Sequence, residues 1–97
     1  MIEILKTDRF ERWIRRLKDR KAREIILSHI DRLRFGLDGD MKPVGAGVSE
    51  MRIHYGPGYR VYLKRRRNIM VIVLCAGNKK TQQKDIAEAI QIAGELE

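Results

Sequence analysis

The chain has 97 residues, 43% of them hydrophobic and 35% charged, and its 21 Lys and Arg against 13 Asp and Glu leave a net charge of +8. That length is one domain, residues 1–97, with room for one modest core, and the composition excludes disordered and collagen-like chains. The longest apolar run, Ile69–Ala76, is eight residues, too short to span a bilayer; no basic-then-apolar leader follows Met1; and the lone Cys75 allows neither an internal disulfide nor a cysteine zinc site, so the expected compartment is the cytoplasm, with no membrane partner.

Ile2–Leu5 reads as a short first strand. Thr7 is a suitable N-cap, and Phe10, Trp13, Ile14 and Leu17 then recur at i, i+3, i+4 and i+7, one apolar face of a helix. Asp19 can cap a second helix whose stripe is Ala22, Ile25, Ile26, Ile30, Leu33 and Leu37, ended by Gly36 or Gly39. Two amphipathic helices with almost no linker make a helical hairpin. Residues 39–47 hold Pro43 and three glycines and read as a loop.

The period then changes from helix to strand. In Val48–His54, Met51 and Ile53 share one face while Glu50, Arg52 and His54 share the other. Tyr55-Gly56-Pro57-Gly58 is a turn. In Tyr59–Arg66, Val61 and Leu63 share one face, and Arg60, Tyr62, Lys64 and Arg66 the other. Arg67-Asn68 turns the chain into Ile69–Cys75, apolar at every position, as befits a central strand covered on both sides. Gly77–Lys80 breaks that strand, and Thr81 can cap a last helix with the stripe Ile86, Ala89, Ile90, Ala93 and Leu96. The predicted order is β-α-α-β-β-β-α, an α+β domain in which an antiparallel sheet carries the helical hairpin on one face.

The charge is concentrated in the strands. Residues 41–80 hold nine basic residues against one acid, Glu50, and this excess equals that of the whole chain. Such a segment attracts polyanions, although a solvated basic face kept for solubility has the same composition. The alternation is more specific. Arg52 and His54 on one strand, with Arg60, Tyr62 and Lys64 on its hairpin partner, form a single basic, aromatic-bearing surface if the apolar faces take the helices. Lys79, Lys80 and Gln83 lie where the last strand meets the last helix, and Arg66 continues the cationic face. RNA suits this surface: phosphates take Arg and Lys, and unstacked bases take tyrosine faces. RNA also carries its own nucleophile, the 2′-OH, so cleavage needs only a base, cations for the phosphate and an acid. Arg60 is the candidate phosphate clamp, with Tyr55, Tyr62, Lys64 and His54 for proton transfer or stacking. Arg52, Arg66, Lys79, Lys80 and Gln83 are the candidate RNA contacts. Each has a plainer reading: His54 as a solvated turn residue, Tyr55 as packing, residues 64–67 as a solvated charge run. Cys75 reads as a small hydrophobe. No His, Asp or Glu set has metal-ligand spacing, so neither a metal nor another cofactor is expected.

The block from Gly47 to Tyr62, through Arg52-Ile53-His54-Tyr55-Gly56-Pro57-Gly58-Tyr59-Arg60, resembles the signature of the RelE/ParE toxin superfamily. It is most similar to the addiction-module killer proteins related to HigB toxins and phage proteins. Leu74–Ile86 resembles the family's second block, with Asn78 where aspartate is usual and Ala76 where glycine is usual. The resemblance implies a RelE-like fold and a toxin of a type II toxin–antitoxin pair, held inactive by a cognate antitoxin. Many such toxins are mRNA endoribonucleases that act at the ribosome without a metal. It matches Arg60 to the arginine on the scissile phosphate, Arg52 to a basic strand position, and Lys79 and Gln83 to the second block. Two other functions are compatible with the residues: a ParE-like inhibitor of DNA gyrase, and a nucleic-acid-binding module that cuts nothing.

Overall fold

A computed structural model describes residues 1–96. The chain runs β1 (Glu3–Lys6), α1 (Asp8–Arg16), α2 (Arg20–Arg32), β2 (Asp40–Gly45), β3 (Val48–Ile53), β4 (Tyr59–Arg66), β5 (Met70–Asn78) and α3 (Gln82–Glu95). Single 3-10 turns lie at Leu33–Phe35 and Lys79–Thr81. Local chemistry sets the first two helix starts. The Thr7 hydroxyl accepts from the Phe10 N–H at 3.1 Å and donates to the Leu74 carbonyl at 2.6 Å, tying α1 to β5 as well as capping it. The Asp19 carboxylate caps α2 by accepting from the Ala22 N–H at 3.0 Å. Gly36, at φ +75°, ends the turn after α2 in the left-handed conformation. Leu37 therefore lies outside the helix and is exposed, not part of the buried stripe.

The sheet has five strands in the order β1-β5-β4-β3-β2. Two expectations are corrected. Residues 40–45 are not loop but an edge strand paired antiparallel to β3, with a bulge between Pro43 and Gly45. An edge strand tolerates Pro43 because its missing N–H can face away from the ladder, and with glycines on either side the local pattern does not read as a strand. The sheet is also mixed: β2 to β5 are antiparallel, but β1 runs parallel to β5, with Glu3 opposite Met70 and Lys6 opposite Val73. A parallel neighbour is joined through a long crossover, so the direction of β1 is set by the intervening helices and strands and not by its own four residues.

Both faces of the sheet are covered. The helical hairpin places Phe10, Ile14, Ala22, Ile26 and Ile30 against Met51, Ile53, Val61, Leu63, Val71 and Val73. Full burial of a Phe or Ile side chain contributes about 1.5–3 kcal/mol, so this layer dominates the stability. On the opposite face α3 lays Ala89 and Ala93 over Val48, Tyr62, Leu74 and Cys75. Small residues let α3 approach closely. Gly77 serves the same approach, because a Cβ there would collide with the Asp85 carboxylate and the Thr81 hydroxyl. The start of α3 differs from expectation too. β5 continues through Asn78, whose Oδ1 accepts from the Lys80 N–H at 2.8 Å, while Thr81 makes no side-chain cap to the helix and donates to Asp85 Oδ2 at 2.5 Å. No helix among the described residues is long and apolar enough to cross a membrane.

Candidate functional site

The hairpin β3–β4 sets two cross-strand pairs side by side: Glu50 opposite Tyr62, and Arg52 opposite Arg60. Opposed side chains on one face of an antiparallel pair are about 5 Å apart. Two arginines at that distance repel, and the structure answers with Glu50. Its carboxylate is fully buried and receives four partners. Arg52 Nε donates to Oε1 at 3.1 Å. Tyr62 Oη and Gln82 Nε2 donate to Oε2 at 3.0 and 2.9 Å. Arg60 Nε lies 3.6 Å from Oε2, an ion pair too long for a hydrogen bond. Burial pushes the Glu50 carboxyl up, but the hydrogen bonds from Gln82, Arg52 and Tyr62 and the charge of Arg60 outweigh it, and the group sits below the usual carboxylate range. It is therefore an anion that holds two guanidinium groups together.

Beyond the arginines the hairpin turn closes a cleft of about 510 Å³, lined by Arg52, His54, Tyr55, Pro57, Tyr59, Arg60 and Lys79 among others. Gly56 at φ +58° and Gly58 at φ +82° give the turn its shape. Arg60 is only 12% exposed along its side chain and donates from Nη1 to the Gly58 carbonyl at 3.3 Å, which fixes it to the same turn. His54 is exposed, and its Nε2 meets Asp40 Oδ2 of β2 at 2.7 Å. A carboxylate on one ring nitrogen orients the imidazole and leaves Nδ1 for other work. Tyr55 is half-buried against the hairpin core, and Tyr59 is buried edge-on to Trp13, with ring centroids 6.0 Å apart at 75°. Burial first, then the Asp19 charge, raises the Tyr59 hydroxyl above its ordinary value.

Of the sequence candidates, the cleft thus gathers Arg52, His54, Tyr55, Arg60 and Lys79. The others lie elsewhere. Tyr62 is not on an open surface: α3 covers it completely, and burial together with its bond to Glu50 raises its pKa well above the ordinary tyrosine value, so it acts on Glu50 and not at the cleft. Lys64 and Arg66 are four and six residues along β4 from Arg60, roughly 13 and 20 Å at 3.3 Å per residue. Arg66 donates to the Leu96 carbonyl at 2.9 Å, at the far end of α3. Lys80 and Gln83 are exposed and do not line the cleft. Gln82, the neighbour of Gln83, is the glutamine that turns inward.

Three positions of the network around the cleft escaped the sequence: Glu50 as the hub, Gln82 as its link to α3, and Asp40 as the partner of His54. For Glu50 a signal existed, since it is the single acid of the basic segment and shares a strand face with Arg52. Asn78, which departs from the aspartate of the resembled pattern, still caps as an aspartate does, and Ala76 is 6% exposed within the hairpin-side core. Cys75 is buried, and burial, reinforced by the charge of Glu88, pushes its thiol up to about 12. Among the described residues no group of three or more His, Cys, Asp and Glu side chains is arranged so that it could hold a metal ion.

This chain is 47% identical over 95 residues to a Haemophilus influenzae protein described as "Uncharacterized protein", a match covering 98% of this chain and 96% of that one. The chain belongs to the family of that protein. No family model matches it. Among solved structures it is similar to the Escherichia coli toxin RelE, determined as an arginine-to-alanine double mutant in the free state. The TM-score is 0.72 over 93% of this chain and 95% of RelE, at 14% sequence identity. The fold is therefore RelE-like. The RelE-like sheet presents the β3–β4 hairpin cleft at one end, and α3 covers Val48, Tyr62, Leu74 and Cys75 further along that face.

Proposed function

We propose that this protein is the toxin of a type II toxin–antitoxin pair, of the HigB-like killer kind, and that it cuts mRNA on the ribosome. The observation that carries the proposal is the buried Glu50 anion holding Arg52 and Arg60 side by side at a cleft that also contains Lys79. Three cations converging on an open cleft suit a phosphodiester whose charge grows in the transition state. The RelE-like fold supports the same class.

The chemistry asked of the cleft is attack by the substrate's own 2′-oxygen on the adjacent phosphorus. The bond from phosphorus to the 5′-oxygen breaks, giving a cyclic phosphate and a 5′-oxyanion that takes a proton from water to become the free 5′-hydroxyl. Arg60, fixed by Glu50 and the Gly58 carbonyl, clamps the phosphate, with Arg52 and Lys79 beside it. His54, oriented by Asp40, takes the 2′-proton, and the Tyr55 ring stacks on a splayed base. No step needs a cofactor. The antitoxin is acidic where it covers the cleft and holds the toxin inactive.

The test is in vitro translation with purified protein, with mRNA cuts read by primer extension. Wild type and Arg60→Ala run in parallel, with a ribosome-free control. Cuts that require ribosomes and disappear in Arg60→Ala are expected. Intact mRNA with undisturbed translation overturns the proposal and directs attention to DNA gyrase.

A further inference from the structure

Outside the cleft, helix α1 carries a second cationic surface. Arg9, Arg12 and Arg16 surround Trp13 in a hollow of about 160 Å³. Arg9 is committed: its guanidinium pairs with Glu88 of α3 through two contacts, at 3.0 and 3.1 Å. The side chains of Arg12 and Arg16 are exposed and make no ion pair or hydrogen bond among the described residues. They stand at i and i+4, where like charges destabilise a helix. The helix dipole accounts for a cation in the last turn, Arg16, but not for Arg12 one turn earlier. The hollow also adjoins the cleft. Trp13, its floor, meets Tyr59 edge-on at 6.0 Å, and Tyr59 lines the cleft beside Arg60. One pair of rings separates the two depressions.

From this continuity we infer that Arg12 and Arg16 form an extended subsite that holds the phosphates of the RNA strand where it leaves the cleft. The inference rests on the cleft being an RNA site, as proposed above. A polyanion seated at Arg60 and leaving the cleft past the partly exposed Trp13 next meets these two guanidinium groups. Their planar forks suit phosphate oxygens, and they are not tied down by other partners. The subsite is indifferent to base identity. It adds affinity for long RNA and nothing for RNA that ends within the cleft.

The experiment measures binding, separate from cleavage, by fluorescence anisotropy with 2′-O-methylated oligoribonucleotides, which lack the attacking hydroxyl. A trinucleotide and a dodecamer are compared on wild type, Arg12→Gln/Arg16→Gln and Arg12→Lys/Arg16→Lys. Each phosphate contact contributes about 0.7 to the salt slope for single strands, so the glutamine variant loses about 1.4 of slope with the dodecamer. Wild type then loses about sevenfold more affinity than the variant between about 50 and about 200 mM salt. The trinucleotide is unaffected, and the lysine variant retains most of the slope. An unchanged dodecamer slope overturns the inference. So does an equal loss for both lengths, which marks a general field and not a subsite. Polyglutamate competing as well as the dodecamer also overturns it, since the surface then reads acidic protein. If wild type binds neither oligonucleotide, the RNA assignment of the cleft fails, and the subsite with it.

Discussion

Replacing Glu50 by glutamine removes one charge and almost no volume, and the structure sets its cost. Arg52, Tyr62 and Gln82 each donate to the buried carboxylate, and Arg60 is paired with it at 3.6 Å. A hydrogen bond to a charged group contributes about 1.5–3 kcal/mol and a neutral one about 0.5–1.5. The amide has a single acceptor oxygen, so its NH2 must confront a donor on one side. Arg52 and Arg60 are left opposed without a counter-charge, although the 31% exposure of Arg52 lets water screen part of that repulsion. The sum is about 3 kcal/mol, a fall in Tm of roughly 15 °C for a domain of this size. Its pH dependence follows from the depressed carboxyl. Glu50 contributes stability that is fully present above the unfolded-state value near 4.3 and is lost as pH falls through the lower folded-state value. Circular-dichroism melts of wild type and Glu50→Gln should therefore be well separated at pH 7 and converge below about pH 4. Equal melting temperatures at pH 7, or a gap that persists unchanged into acid, would refute the hub.

Three further outcomes are expected. Thr7→Ala removes both the α1 cap and the bond to Leu74, at a cost of about 1–2 kcal/mol by urea titration, while Thr7→Ser retains most of both. Gly77→Ala drives a methyl group into Asp85 and Thr81; about 1–3 kcal/mol is lost, and amide exchange quickens in the first turn of α3 while the helical hairpin stays protected. Cys75, buried with its thiol pushed up to about 12, stays unreactive toward a disulfide reagent at pH 8 until denaturant unfolds the chain; fast labelling of the native protein would contradict its burial.

The sequence determined a good deal of this protein by itself. Short-range signals suffice for helix caps and strand faces, because a cap is three residues long and a strand alternates every two. Thr7, Asp19 and the Tyr55–Gly58 turn could thus be located without coordinates, as could the faces of β3 and β4. The lone acid within the basic segment was visible too, although its task was not. Tertiary structure decided the rest. Whether Pro43 lies in a loop or on an edge strand depends on β3 offering a free edge, and the direction of β1 depends on a partner some 65 residues away. The same holds for the site. Arg60 and Tyr62 are equivalent by alternation, yet α3 lies over one and leaves the other at the mouth of the cleft. Periodicity specifies which side of a strand a residue takes; only packing decides where along that side the sheet is covered, and so which cations face the open cleft.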